Sequence, residues 1–98
     1  MYGTIARMKV KRENIDALRE LMANTGSRQV AGYRETHVLF PDQARDEIWL
    51  VVFFDDKASY MKNADDPAMH EEYVKYRALL DADPEWHDGE WESDRAGS

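Results

Sequence analysis

The chain has 98 residues, of which 43% are hydrophobic, and a formal net charge of −7. This length fits a single domain with one modest core, and the composition excludes a chain that is disordered throughout. Cysteine is absent, which excludes disulfides, thiolate nucleophiles and cysteine-based zinc sites. Net acidity argues against nucleic-acid binding, because contacts to phosphates require an excess of basic side chains.

The sequence also gives no sign of a membrane segment. The longest apolar run, residues 48–54, is far shorter than the ~20 residues that a membrane span needs. Strand-like alternation starts at Tyr2, where a secretory leader would be basic and then apolar. We therefore expect a cytoplasmic protein that binds neither membrane nor nucleic acid.

Hydrophobic periodicity predicts three elements in the first part of the chain. Apolar and polar residues alternate from Tyr2 to Val10, which is typical of a strand with one buried face. Apolar residues at helical spacing follow between Ile15 and Thr25 and predict a helix. Tyr33 to Phe40 is rich in aromatic and β-branched residues and predicts a second strand.

Residues 47–54 predict a third strand of an unusual kind, because its apolar residues would face both sides of a sheet. A strand that is covered on one side only would alternate between apolar and polar positions. Two helices can cover one side of a small sheet, and the chain offers no further segment for the other side. The sequence therefore predicts a homodimer in which a second copy covers the exposed sheet.

A second helical region is predicted to start at Lys57 and to be interrupted before Pro67. Asp66 is suited to cap the helix that follows, with Pro67 at its first position. An aromatic and apolar stripe then recurs at spacings of four, three and four: Met69, Tyr73, Tyr76 and Leu80. A last strand is predicted from Glu85 to Glu92.

The element order β-α-β-β-α-β predicts a ferredoxin-like α+β domain, with a four-stranded antiparallel sheet and two helices on one face. We assign it to residues 1–93 and expect residues 94–98 to form a flexible tail. In this fold the first and last strands are neighbours. Arg7 and Lys9 are therefore predicted to lie near the acidic strand around Glu90 and Glu92. This pairing accounts, without a ligand, for the excess of basic residues in 1–34 and of acidic residues in 63–98.

Neither a cofactor nor a metal is predicted from the motifs. The five glycines do not form a phosphate loop or a dinucleotide fingerprint. His37, His70 and His87 show no spacing that would pair two of them on one metal ion. We expect no protein-built metal site and no bound cofactor.

Several polar and aromatic residues converge on the second helical region, which must pack over the sheet. Tyr60, Asn63, His70 and Tyr73 could each form a structural hydrogen bond or line a ligand pocket. Apolar walls would come from Met69, Tyr76 and Trp49. The tryptophans could equally belong to the core and the dimer interface, or form an aromatic wall against a planar ligand.

Four features together resemble the antibiotic biosynthesis monooxygenase family of dimeric α+β-barrel proteins. These are Ala31-Gly32-Tyr33 before strand two, Phe53-Phe54 at the end of strand three, the Asp-Asp-Lys-Ala segment from Asp55, and Asp66-Pro67 within the helical region. The resemblance covers about residues 2–92. It implies two sheets that close into a barrel across a homodimer, with a small-ligand pocket between each sheet and its helices.

Within this resemblance, one branch degrades haem with an Asn on strand one and a Trp and a His on the second helical region. The matching strand-one position here holds Ala6. The helical positions hold Asn63 and Tyr73 or, in a shifted alignment, Tyr60 and His70. Neither alignment restores the triad, so haem binding or degradation is the less favoured reading.

The resemblance favours a small cofactor-independent monooxygenase that acts on a phenolic, quinol or polycyclic aromatic compound. Tyr73, Asn63 and His70 are the candidate catalytic residues. The candidate substrate-binding residues are Trp49, Tyr60, Met69, Tyr76 and Ala6. The alternative is a non-catalytic small-molecule-binding or stress-response protein on the same scaffold, because this fold carries many functions.

Overall fold

The computed structural model describes residues 1–25, 30–43 and 46–92, so the predicted tail at residues 94–98 lies outside the described part. Its four strands are β1 (Tyr2–Lys9), β2 (Tyr33–Leu39), β3 (Glu47–Phe54) and β4 (Glu85–Glu90). Its helices are α1 (Ile15–Thr25), α2 (Lys57–Ala64) and α3 (Pro67–Arg77), with a short 3-10 turn at Arg12–Asn14.

The strands form one antiparallel sheet in the order β2-β3-β1-β4. This arrangement confirms the predicted ferredoxin-like α+β fold. The predicted second helical region is two helices, because Pro67 begins α3 and the Asp66 side chain accepts a hydrogen bond from the Ala68 amide at 2.9 Å. β4 ends at Glu90, two residues before the predicted end.

One face of the sheet carries the core. Tyr2, Thr4, Ala6 and Met8 alternate along β1 and are all buried. From the neighbouring strand, Ile48, Leu50 and Phe54 are buried on the same face. α1 contributes Leu18, which is fully buried. The period-two pattern that predicted β1 is therefore the pattern of core contacts.

Gly32 sets the turn that leads into β2. Its φ is +79°, a left-handed conformation that glycine adopts without steric cost. A side chain at this position would also collide with Ser59 of α2. The Gly in the Ala-Gly-Tyr segment is thus required twice, by the turn and by the close approach of α2.

Arg7 of β1 is neutralised by neighbouring carboxylates, although the predicted register was wrong. Glu90 lies opposite Tyr2, at the far end of β1 from Lys9. The Arg7 guanidinium bonds instead to the carboxylate of Glu47 in β3 at 2.9 Å and lies 3.6 Å from that of Glu85. Antiparallel pairing brings the start of β4, and not its end, beside the end of β1.

The opposite face of the sheet is apolar in its centre. Ile5, Trp49, Val51 and Phe53 point away from the helices and are only partly buried. Trp91 packs edge-on against Phe53, with ring centroids 4.8 Å apart. β3 is therefore apolar on both faces, as predicted.

Candidate functional site

A cavity of about 210 Å³ lies between the helix-covered face of the sheet and the helices. Its floor is mostly apolar and comes from all four strands: Met8, Thr36, Val38, Leu50, Val52, Phe54 and Trp86. The floor follows from the strand period, because these residues occupy the same face in each strand pair. The site is thus built on the rigid sheet.

The helical wall of the cavity is the stripe that the sequence predicted. Met69, Tyr73 and Tyr76 line it from α3, and Leu80 lines it just beyond that helix. Spacings of three and four place such residues on one side of a helix. Asn63 joins them from α2, and Met22 from α1.

Few polar groups interrupt this apolar surface. The hydroxyls of Tyr33 and Thr36 are hydrogen-bonded to each other, with their oxygens 2.6 Å apart. Asn63 and Tyr76 both take part in further contacts within the protein. The Tyr73 hydroxyl differs, because it makes no hydrogen bond to a side chain or backbone group within residues 1–25, 30–43 and 46–92. It is the group in the cavity most available to a ligand.

Four of the eight predicted site residues come together in the cavity wall: Asn63, Met69, Tyr73 and Tyr76. Ala6 is fully buried in the sheet between Leu50 and Trp86, both of which line the cavity. Its side chain is a methyl group, which offers no polar contact to a ligand.

The other three predicted residues lie elsewhere. Trp49 points to the opposite sheet face, one register position from the inward Leu50, so it does not line the cavity of its own protomer. His70 is exposed on α3. Tyr60 is half-buried beside the cavity and is not part of its lining.

Tyr60 forms a hydrogen-bonded pair with Asp88 of β4. The phenol donates to the carboxylate, with an oxygen-to-oxygen distance of 2.8 Å. Desolvation and the bond to Asp88 raise the pKa of Tyr60 well above its ordinary value, while the nearby Thr4 hydroxyl acts in the opposite direction. The phenol is therefore neutral and remains a donor over the physiological pH range.

Several cavity residues were not singled out from the sequence. Trp86 supplies the aromatic wall that was expected from Trp49, and it is 40% exposed. Its neighbours in β4 are polar, so no apolar alternation marked its inward face. Tyr33, Thr36 and Glu72 also line the cavity. Thr36 could have been predicted from the sequence, because it lies two residues before Val38 in β2 and so points to the same face of the sheet.

Metal-binding clusters and membrane-spanning helices are both absent from the part of the chain that the structure describes. Residues 1–25, 30–43 and 46–92 contain no cluster of three or more His, Cys, Asp or Glu side chains placed to bind a metal ion. Among the helices that the structure describes, none is long and apolar enough to cross a bilayer.

Solved structures share this fold over almost their whole length. A candidate antibiotic biosynthesis monooxygenase from Deinococcus radiodurans has a TM-score of 0.80 at 14% identity, with 97% of this chain and 96% of that chain covered. One from Chloroflexus aurantiacus has a TM-score of 0.76 at 23% identity over the same shares. SnoaB, a cofactor-independent oxygenase from Streptomyces nogalater, has a TM-score of 0.78 at 13% identity, again with 97% and 96% covered.

These similarities show that the chain has a ferredoxin-like α+β fold. No curated protein sequence matches the chain. The sequence profile of antibiotic biosynthesis monooxygenases matches residues 1–76, more than half of the chain. The chain belongs to the antibiotic biosynthesis monooxygenase family, which confirms the resemblance seen in the sequence.

Proposed function

We propose that the protein is a small cofactor-independent monooxygenase that acts on a phenolic, quinol or polycyclic aromatic compound bound between the sheet and α3. The observation that carries this proposal is the Tyr73 hydroxyl, which lines an apolar cavity and makes no hydrogen bond to the described residues. A hydroxyl in that setting is suited to a ligand that is flat, apolar and hydroxylated.

The cavity volume favours one or two aromatic rings. A dry cavity of about 150 Å³ in another protein holds benzene, and this cavity measures about 210 Å³. It is smaller than the ~300 Å³ at the lower end of pockets for drug-sized ligands. A naphthol fits this range, whereas a three-ring compound would require the helices to move.

The proposed chemistry uses the substrate as the reductant. A phenol that loses its proton becomes a phenolate, which can transfer one electron to O₂ and give an aryloxyl radical and superoxide. These recombine at the ring carbon para to the oxygen. Loss of the hydrogen on that carbon then expels water and leaves a quinone. For a naphthol the sum is naphthol plus O₂ to naphthoquinone plus H₂O, with all four electrons supplied by the substrate.

The protein would contribute binding, orientation and exclusion of water. Tyr73 would bond to the phenolic oxygen and stabilise its charge as the proton leaves, with the Asn63 amide as a second donor. Met69, Tyr76 and Trp86 would hold the rings. His70 is exposed on the same helix and would exchange the proton with solvent.

We also propose that the functional unit is a homodimer formed by the outer sheet face. The centre of this face is apolar. The Glu47 carboxylate on this face is only 15% exposed, and its charge is already paired with that of Arg7. A second copy could therefore cover this face without burying the Glu47 carboxylate as an unpaired charge. The covering chain would bury Ile5, Trp49, Val51 and Phe53.

The test is an oxygen-uptake assay with a panel of naphthols, hydroquinones and an anthrone. Wild-type protein is expected to consume O₂ above the buffer rate with a one- or two-ring compound. The Tyr73→Phe and Asn63→Ala variants are expected to lose most of that rate. Saturable binding of the same compounds with no O₂ uptake would replace this proposal by the non-catalytic binding protein.

A further inference from the structure

The Tyr60–Asp88 pair lies beside the cavity and has no part in the chemistry described above. The Tyr60 ring packs against Tyr2 and Phe54, with centroid distances of 5.2 Å and 5.6 Å. Phe54 lines the cavity and Tyr60 does not. The phenol is also already engaged by Asp88. Tyr60 is therefore placed to support the cavity wall, and its hydroxyl is not directed at a ligand.

The helix that carries Tyr60 is short and lies at the surface of the domain. α2 has eight residues, none of them fully buried. Its N-terminus is capped by Asp56, which accepts from the Ser59 amide at 2.8 Å, but that bond is internal to the helix end. A short helix without buried side chains depends on the few contacts that reach another element. Among the described residues, the Tyr60 hydroxyl makes the side-chain hydrogen bond between α2 and β4.

This bond connects two parts of the cavity wall. Asn63 follows Tyr60 by three residues, so the two side chains project from neighbouring positions of one helix face. Trp86 precedes Asp88 by two residues, so the two share a face of β4. Asn63 and Trp86 both line the cavity. The pair therefore ties the segment that carries Asn63 to the strand that carries Trp86.

A buried hydroxyl, that of Thr4, lies near the pair. Thr4 is 1% exposed and lies opposite Asp88 in the register of β1 and β4. Its hydroxyl forms no hydrogen bond of good geometry with the described residues, and the phenol of Tyr60 is the polar group near it. The hydrogen bond that holds the Tyr60 oxygen in place is therefore the one to Asp88.

We propose that Tyr60 is a positioning residue: its hydrogen bond to Asp88 fixes α2 against β4 and so holds the Asn63 amide at the cavity wall. This rests on the proposed function in one respect, that Asn63 contacts the ligand. The placement of the Asn63 side chain can be measured without any ligand.

The experiment is heteronuclear NMR of isotope-labelled protein, with amide hydrogen exchange on the same samples. The Asn63 side-chain amide signals are assigned by their loss in Asn63→Asp. In Tyr60→Phe and in Asp88→Ala, these signals are expected to shift or broaden, and the α2 backbone amides to exchange roughly fivefold faster, as the loss of one ordinary hydrogen bond implies. The double variant is expected to show no more than either single change.

Two controls separate positioning from a general loss of stability. Asp88→Asn keeps a carbonyl acceptor and should leave the Asn63 signals in place. Asp83→Ala removes the partner of another exposed pair, bonded to Arg77 at 2.7 Å, and should also leave them unchanged. Unchanged Asn63 signals in Tyr60→Phe would overturn the inference, as would faster exchange spread evenly over the whole sheet.

The outcome is independent of turnover. A wild-type protein that consumes no O₂ would defeat the proposed function and would leave this NMR result standing. With an active substrate, Tyr60→Phe should change the rate in the same direction as Asn63→Ala and add nothing to it in the double variant. Additive losses in the double variant would contradict a role for Tyr60 that acts through Asn63.

Discussion

Replacing Tyr73 by Phe removes one oxygen atom from the cavity wall and leaves the aromatic ring in place. An ordinary intramolecular hydrogen bond contributes about 1 kcal/mol to stability. The Tyr73 hydroxyl makes none in the part of the chain that the structure describes, so the free energy of unfolding should change by less than that amount. Turnover should fall roughly hundredfold, as expected when a donor that stabilises the developing phenolate charge is lost. Stability and activity are therefore predicted to separate in this variant.

Tyr33→Phe is the matched control, because Tyr33 also lines the cavity but its hydroxyl is bonded to Thr36. It should lose up to about 1 kcal/mol of stability and retain most of its activity. Urea denaturation gives the stabilities and oxygen uptake gives the rates. A Tyr73→Phe variant that loses stability and keeps its turnover would refute this reasoning and make Tyr73 an anchor of α3.

Three further predictions address the core, the helix cap and the outer sheet face. Thr4→Val removes a buried hydroxyl without a well-formed bond, so urea denaturation should show a gain of about 1 kcal/mol; a loss of that size would mean that the hydroxyl is satisfied. The Ser59 amide and hydroxyl lower the pKa of Asp56 from its ordinary 3.8. The cap therefore stabilises α2 above about that pH and is lost as the pH falls through the lowered value; the urea midpoints of wild type and Asp56→Asn should differ at neutral pH and converge in acid. Val51→Asp should give monomer or aggregate in sedimentation equilibrium, whereas Val74→Asp, at a side chain 54% exposed on α3, should match the wild type; a wild-type monomer at micromolar concentration would refute the dimer.

The fold could be predicted because each strand obeys a simple rule of its own. Alternation placed Met8 inside and Arg7 outside, and the structure confirms both. The Asp66-Pro67 pair marked the start of α3 because its two roles, cap and first helical residue, are local. The register between β1 and β4 could not be predicted in the same way, because it depends on where the chain after α3 re-enters the sheet. That is why Arg7 lies beside Glu85 and not Glu90.

The same distinction separates the site residues that were found from those that were missed. Tyr73 and Tyr76 follow a helical spacing, so the sequence alone placed them on one face. Trp49 was predicted to line the cavity because it is large and aromatic. Side chains alternate between the two faces along β3, however, and Trp49 points to the outer face. Trp86 lines the cavity because it lies opposite the inward-facing Ala6 in the register of β1 and β4. No local sequence pattern in β4 predicts this pairing.

In the proposed reaction, this protein inserts one oxygen atom from O₂ into a hydroxylated aromatic compound without an external reductant. The most direct measurement supplies isotopically labelled O₂ to purified wild-type protein and a naphthol that is unsubstituted para to its hydroxyl, with a metal chelator present. We predict a naphthoquinone that carries one labelled oxygen atom, formed in equal amount to the O₂ consumed and strongly reduced in Tyr73→Phe. An unlabelled quinone, or O₂ uptake no faster than in buffer across the whole panel, would contradict the claim.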